Sequence, residues 1–266
     1  MIISASRRTD IPAFFSDWFF GCINEGSVQV RNPVNHSQIR TVSLNPNDVD
    51  CIAFWTKNPK AMISRLDKLD NYHYYFQFTL NPYDADIEPG LPDKNEIIDT
   101  FRQLSDIIGV HRVIWRYDPV LLNDKYSIQY HVEHFGRMAS ALSGYTEKVV
   151  ISFIDIYAKI KTGMERLGIK EMSPEQKSET AKQFAAIAHA HNLPVETCAE
   201  DIDLCAYGIT HGRCIDGSLI ERITGKALNA KKDRSQRQDC GCAAAADIGT
   251  YNSCLHGCLY CYAGGR

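Results

Sequence analysis

The chain has 266 residues, 44% of them hydrophobic and 23% charged, with a net charge of −3. That length buries a full α/β core, and the slight acidity gives no global attraction to nucleic acid or an anionic bilayer. No apolar run reaches the length of a membrane span, and the start lacks a signal peptide's long apolar stretch, so the expected location is the cytoplasm, where thiols stay reduced.

In chain order, Ile2 to Ala5 reads as a strand. Pro12 suits a first helical turn, Phe15, Trp18, Phe19, Cys22 and Ile23 recur at helical spacing, and Gly26 is the stop. Val28 to Val30 and Thr41 to Leu44 read as two short strands or a hairpin around Asn32-Pro33. Cys51 to Trp55 is a buried strand, and Asn58-Pro59 starts a helix running through Leu66 and Leu69. Tyr74 to Leu80 is the third main strand, followed by a helix with a capping box on Asp93 and Glu96 and a stop at Gly109. Arg112 to Tyr117 is a strand, Ile128 to Leu142 a helix ended by Gly144, and Val149 to Ile154 a strand. Ser173-Pro174-Glu175-Gln176 is a helix start with cap, proline and box residue in register, and Pro194 to Cys198 is the sixth strand.

Six strands alternating with helical patterns predict βαβ units and a parallel sheet. No glycine-rich phosphate loop follows any strand, which weighs against a Rossmann or P-loop nucleotide site. After about residue 225 the pattern changes. A polar segment, 230–239, reads as solvated surface or a nucleic-acid contact and leads into a cysteine-rich tail. The expected organisation is one domain, 1–266, with a core over 1–230 and the tail over 231–266.

Of ten cysteines, eight fall after position 197. Cys22 and Cys51 read as small core hydrophobes. The last three, Cys254, Cys258 and Cys261, form C-x3-C-x2-C within Tyr251-Asn-Ser-Cys-Leu-His-Gly-Cys-Leu-Tyr-Cys-Tyr-Ala263. Closely spaced thiolates on a loop can wrap one iron–sulfur cluster. Three ligands leave one iron of a four-iron cluster open, as a catalytic metal site requires. Tyr260 is placed to shield one side of it from water.

This motif resembles the signature of the radical S-adenosylmethionine (radical SAM) superfamily, and the wider string is similar to cluster loops of the spore photoproduct lyase branch. The whole chain, from Met1-Ile-Ile-Ser-Ala-Ser-Arg-Arg-Thr-Asp10 onward, resembles a prokaryotic family catalogued only as a domain of unknown function. The superfamily resemblance implies a 4Fe-4S cluster on Cys254, Cys258 and Cys261, with S-adenosylmethionine on the fourth iron. It implies a 5′-deoxyadenosyl radical acting on an unknown substrate, and an electron donor such as flavodoxin or ferredoxin. It also implies a partial (β/α)6 TIM-like barrel. In that superfamily the loop follows the first strand; here it comes last, so the chain is either circularly permuted or cut short.

Sites in parallel barrels lie where the strands end. Those ends carry Arg7, Arg8, Lys57, Gln77, Arg116 and Glu196, together with Asp10, Asp155 and Glu200. Turn chemistry alone makes such positions polar, but the set also suits a cofactor with ribose hydroxyls and a carboxylate, for which arginine is a bidentate partner. Tyr260 joins the expected cofactor site, and the tail is expected to fold back over this mouth beside the first strand. Cys198, Cys214, Cys240 and Cys242 are candidates for a second cluster or a zinc site, or are unpaired thiols, as is Cys205. Two alternatives stand beside the enzyme: a zinc-stabilised non-catalytic module drawing on the tail cysteines and His256, and a nucleic-acid-binding or repair protein.

Overall fold

The structure is a computed structural model that describes residues 1–237 and 240–264. Its strands are β1 (Ile2–Ala5), β2 (Ser27–Arg31), β3 (Ile39–Ser43), β4 (Cys51–Thr56), β5 (Tyr74–Thr79), β6 (Val113–Val120), β7 (Val149–Phe153), β8 (Val195–Thr197), β9 (Thr210–His211) and β10 (Ala246–Asp247). Eight of them form one sheet in the order β10-β1-β4-β5-β6-β7-β8-β9, and every ladder in it is parallel. Among the described residues no ladder joins β9 to β10. The chain is thus a mixed α/β protein with eight parallel strands rather than the six expected. The two added strands, β9 and β10, have two residues each, too few to leave an alternating pattern. β2 and β3 pair apart as an antiparallel hairpin from Ser27↔Ser43 to Arg31↔Ile39.

The central strands are buried along almost their whole length, as a sheet covered on both faces requires. One face carries Phe54, Phe76, Phe78, Trp115 and Tyr117 against the helices. Phe135, from the helix Ile128–Leu142, stacks between Trp115 at 5.0 Å and Phe184 at 4.1 Å. Ser127 and Ser173 cap their helices, the latter in a full capping box with Gln176. Asp93 also caps, accepting from the Asn95 amide at 2.8 Å, whereas Glu96 lies 3.9 Å from Lys60. Two expected helices are broken. The first splits at Phe15 into Ile11–Phe14 and Ser16–Glu25, leaving Trp18 43% exposed. The second becomes a turn, Lys60–Ile63, and a 3-10 segment, Leu66–Leu69.

The other face is made of smaller residues: Ile2, Cys51, Ala53, Ile114 and Val150, with Tyr75 among them. The helix Gly217–Thr224 covers it through Leu219, Ile220 and Ile223. Tyr75 Oη and Gln77 Nε2 both donate to the Cys214 carbonyl, at 2.6 and 2.9 Å, tying this covering segment to β5. Among the described residues no helix is long and apolar enough to cross a membrane.

Candidate functional site

Parallel strands all end on the same side, so the residues that follow them converge. Here they enclose a cavity of about 480 Å³ lined by Arg7, Arg8, Lys57, Arg116, Ser152 and Glu200 among others. Asp10 organises its first corner. One carboxylate oxygen accepts from the Ala13 amide at 3.0 Å as a helix cap, and the other accepts from the Lys57 amide at 2.7 Å. Arg116 pairs with Asp118, which also accepts from the Ser152 hydroxyl. Burial works against the Arg116 charge, but the neighbouring sulfurs and Asp118 outweigh it and hold the guanidinium firmly protonated.

The tail closes the remaining side. β10 adds to β1 in register Ile3↔Ala246 and Ser4↔Asp247. The Asp247 carboxylate accepts from the Ser4 and Ser6 hydroxyls, both at 2.7 Å, and from the Arg7 amide at 3.1 Å. Gly249 lies so close to the Ser6 side chain that a Cβ there would sit 2.1 Å from its oxygen. His256 Nε2 lies 2.8 Å from Asp10, and the His256 carbonyl accepts from the Gly90 amide at 2.9 Å. Leu259 donates to the Ile87 carbonyl at 3.0 Å, and Tyr260 donates to Glu88 at 2.5 Å. Cys254, Cys258 and Cys261 consequently line the same cavity as Arg7, Arg8, Lys57 and Arg116.

Glu88 is the hub of that docking. Its side chain is fully buried, with Lys57 at 2.8 Å on one oxygen and Lys94 at 2.7 Å on the other. Burial alone would raise its pKa, but the two ammonium groups outweigh it and hold the carboxyl at about 2. Lys57 in turn faces Tyr260, 5.5 Å from the ring centre. Burial pushes the Cys258 thiol up to about 12 against the pull of Lys57, and Cys254 up to about 11. A metal that takes thiolates would have to displace those protons.

Of the residues singled out in the sequence, Arg7, Arg8, Lys57, Arg116, Tyr260 and the three tail cysteines line the cavity. Gln77 and Glu196 do not. Gln77 lies below it, accepting from Arg116 at 3.3 Å, and Glu196 is paired with Lys148 at 2.8 Å. Both sit two residues below a lining position, Thr79 and Cys198 respectively, and two residues of strand are about 7 Å of depth. Cys198, Cys214, Cys240 and Cys242 line the same cavity, while Cys205 is exposed. Both ring nitrogens of His256 face Asp10 and Gly90 rather than the thiols. Among the described residues, no three Cys, His, Asp or Glu side chains are arranged to hold a single metal ion. In the polar segment before the tail, Gln238 and Asp239 lie outside the described residues, as do Gly265 and Arg266. Arg237 turns to the cavity, reaching Asp155 at 2.5 Å and the Tyr157 hydroxyl.

Sequence reasoning passed over Glu88, Lys94, Asp247, Tyr157 and Arg237. Glu88 lies in a loop without periodicity. Asp247 follows an alanine run that gives no strand signal.

Residues 2–263 match the family described as a domain of unknown function, DUF1848. The chain belongs to that family. No curated protein matches it. Among solved structures, one similar chain is a crystal structure at 1.80 Å of a provisionally assigned alpha-L-fucosidase from Bacteroides thetaiotaomicron. It is 11% identical, with 97% of this chain and 91% of that chain covered and a TM-score of 0.31. A score that low carries no inference about fold or activity.

Proposed function

We propose that this DUF1848 chain is a radical SAM enzyme whose sheet serves as an open, barrel-like scaffold. The observation that carries the reading is the docking of the C-x3-C-x2-C loop at the C-terminal mouth of the parallel strands, in one cavity with Arg7, Arg8, Lys57 and Arg116. The donor set fits the group. Three cysteines from one loop suit a four-iron cluster, each thiolate taken by a different iron, so they need not meet at a point as ligands of one ion do. Cys254, Cys258 and Cys261 would hold the cluster. When bound, the cluster and S-adenosylmethionine supply one-electron cleavage to a 5′-deoxyadenosyl radical.

The chain's own residues supply the rest. Lys57 places a cation beside Cys258, where it lowers the cost of thiolate charge. Arg7 and Arg8 present guanidinium groups at the end of β1, a match for a carboxylate. Asp155 and Glu200 line the mouth and can accept from hydroxyls. Tyr260 and the Glu88 pair exclude water from one side of the loop.

The test is anaerobic reconstitution of the wild-type chain. A reducible four-iron cluster should form, S-adenosylmethionine should change its electron-spin spectrum, and dithionite should then release 5′-deoxyadenosine. Cys258→Ala should lose all three responses. Colourless protein holding zinc, or a spectrum unmoved by saturating cofactor, would defeat the proposal.

A further inference from the structure

We infer that Cys198 and Cys214 form a redox-active dithiol, a pair that closes to a disulfide by exchange with a small disulfide entering the cavity. Cys198 follows the last residue of β8, and Cys214 lies 16 residues on, in the segment after β9. Their sulfurs are 3.2 Å apart, about 1 Å more than a disulfide bond. Thiols already in contact point at one another, which is the direction a disulfide needs. Both line the cavity and both are free.

The neighbours divide the pair into two roles. Arg116 Nη1 donates to Cys214 Sγ at 3.0 Å. A guanidinium against sulfur favours the thiolate, and the thiolate is the form that attacks a disulfide. Cys198 is the sulfur that keeps its proton: contact with Cys214 first, and then burial, hold its thiol well above the ordinary cysteine value. Cys214 is thus the attacking group and Cys198 the resolving one. Backbone contacts fix both. The Cys198 amide donates to the Ile151 carbonyl at 2.9 Å, and the Cys214 carbonyl accepts from Tyr75 and Gln77. Cys242 Sγ is turned to two successive amides, Cys214 at 3.2 Å and Ile215 at 3.4 Å, which leaves Cys198 as the partner for the Cys214 sulfur.

The exchange balances with the small disulfide, RSSR, as the oxidant. The Cys214 thiolate attacks one of its sulfurs, forming a mixed disulfide and releasing RS⁻. Cys198 gives up its proton and displaces the second RS⁻ from the Cys214 sulfur. The cysteine sulfurs lose two electrons, the reagent gains them, and the two thiol protons leave on two molecules of RSH. The new bond ties the end of β8 to the segment covering Tyr75 and Gln77. Arg116 keeps Asp118 and Gln77 as its partners. The pairing does not depend on what the tail loop binds.

The experiment takes the full chain, reduced and then freed of reductant without air, and equilibrates it with 2-hydroxyethyl disulfide. After an acid quench, remaining thiols are alkylated with N-ethylmaleimide and the chain is mapped by mass spectrometry without reduction. The peptide holding Cys198 should be joined to the peptide holding Cys214, and dithiothreitol should restore both thiols. Cys205, which is exposed, is the internal standard and should carry the reagent as a mixed disulfide. In Cys198→Ser, Cys214 should stop at the mixed disulfide, because the resolving thiol is gone. Cys198 and Cys214 both found alkylated in wild type, once Cys205 has fully reacted, would overturn the inference. So would a bond from Cys214 to Cys242 in place of the one to Cys198. The wild-type map does not require the variant to fold.

Discussion

Along β5, Phe76 and Phe78 turn toward the helices, while Tyr75 and Gln77 turn the other way and donate to the Cys214 carbonyl. Along β6, Trp115 and Tyr117 join the aromatic layer, while Arg116 reaches Cys214 and Asp118. The alternation of a strand sends neighbouring residues to opposite faces. One face is therefore close-packed rings, and the other mixes small apolar residues with hydrogen-bonded polar groups beneath a cavity. Stability rests mainly on the first face and the proposed chemistry on the second, so changes to one should leave the other largely intact.

The largest effect should come from the aromatic face. Phe135→Ala removes the ring stacked between Trp115 and Phe184 and should cost about 3–5 kcal/mol in denaturant unfolding. Reconstituted iron per folded chain should stay at the wild-type level. Iron lost in proportion to stability would show that the two faces are not separable.

On the mouth side, Glu88→Gln keeps the shape but leaves Lys57 and Lys94 without their carboxylate. Breaking such a buried pair costs roughly 3 kcal/mol. The loss should appear as faster proteolysis within 250–264 while far-ultraviolet circular dichroism stays unchanged. Equal protection of the tail in wild type and variant would remove Glu88 as the docking hub.

The smallest effect sharpens the contrast through pH. His131, on the helix Ile128–Leu142, is fully buried, with Tyr117 Oη 2.8 Å from Nδ1 and the Leu121 carbonyl 2.8 Å from Nε2. Burial lowers its pKa from 6.5 to about 4. The unfolded chain therefore takes the proton first. The stabilisation is fully present above the unfolded value and is lost as pH falls toward the folded one. Between about pH 7 and about pH 5 this amounts to about 2 kcal/mol. Urea midpoints should fall over that interval in wild type and fall less in His131→Gln. Parallel slopes would mean that another group carries the pH dependence.

Much of this architecture was legible because parallel strands are apolar runs and their helices carry caps. Ser173-Pro174-Glu175-Gln176 marked its helix to the residue. Strand parity was legible too, but depth was not. Glu196 and Cys198 share a face, yet only Cys198 reaches the cavity, since the height at which a pocket begins is fixed by what fills the layer beneath. That filling, helix Gly217–Thr224, lies far along the chain from the strands it covers. Glu88 was hidden for the same reason: its partners Lys57, Lys94 and Tyr260 are brought together only by the closed loop structure.

The pairing of Ile3 with Ala246 has a consequence for how the molecule is made. On the ribosome, β1 emerges early, and one of its two edges has no neighbour until β10 appears. An unpaired edge is a template for other chains, so nascent copies are exposed to misassociation for most of translation. Distance along the chain is not the main obstacle, because the entropy of closing a loop grows only slowly with its length. The delay is one of synthesis. The tail cysteines line a cavity whose wall includes residues up to Ala263, so a metal bound there would arrive only after the tail is made and would not guide the folding of the strands that precede it.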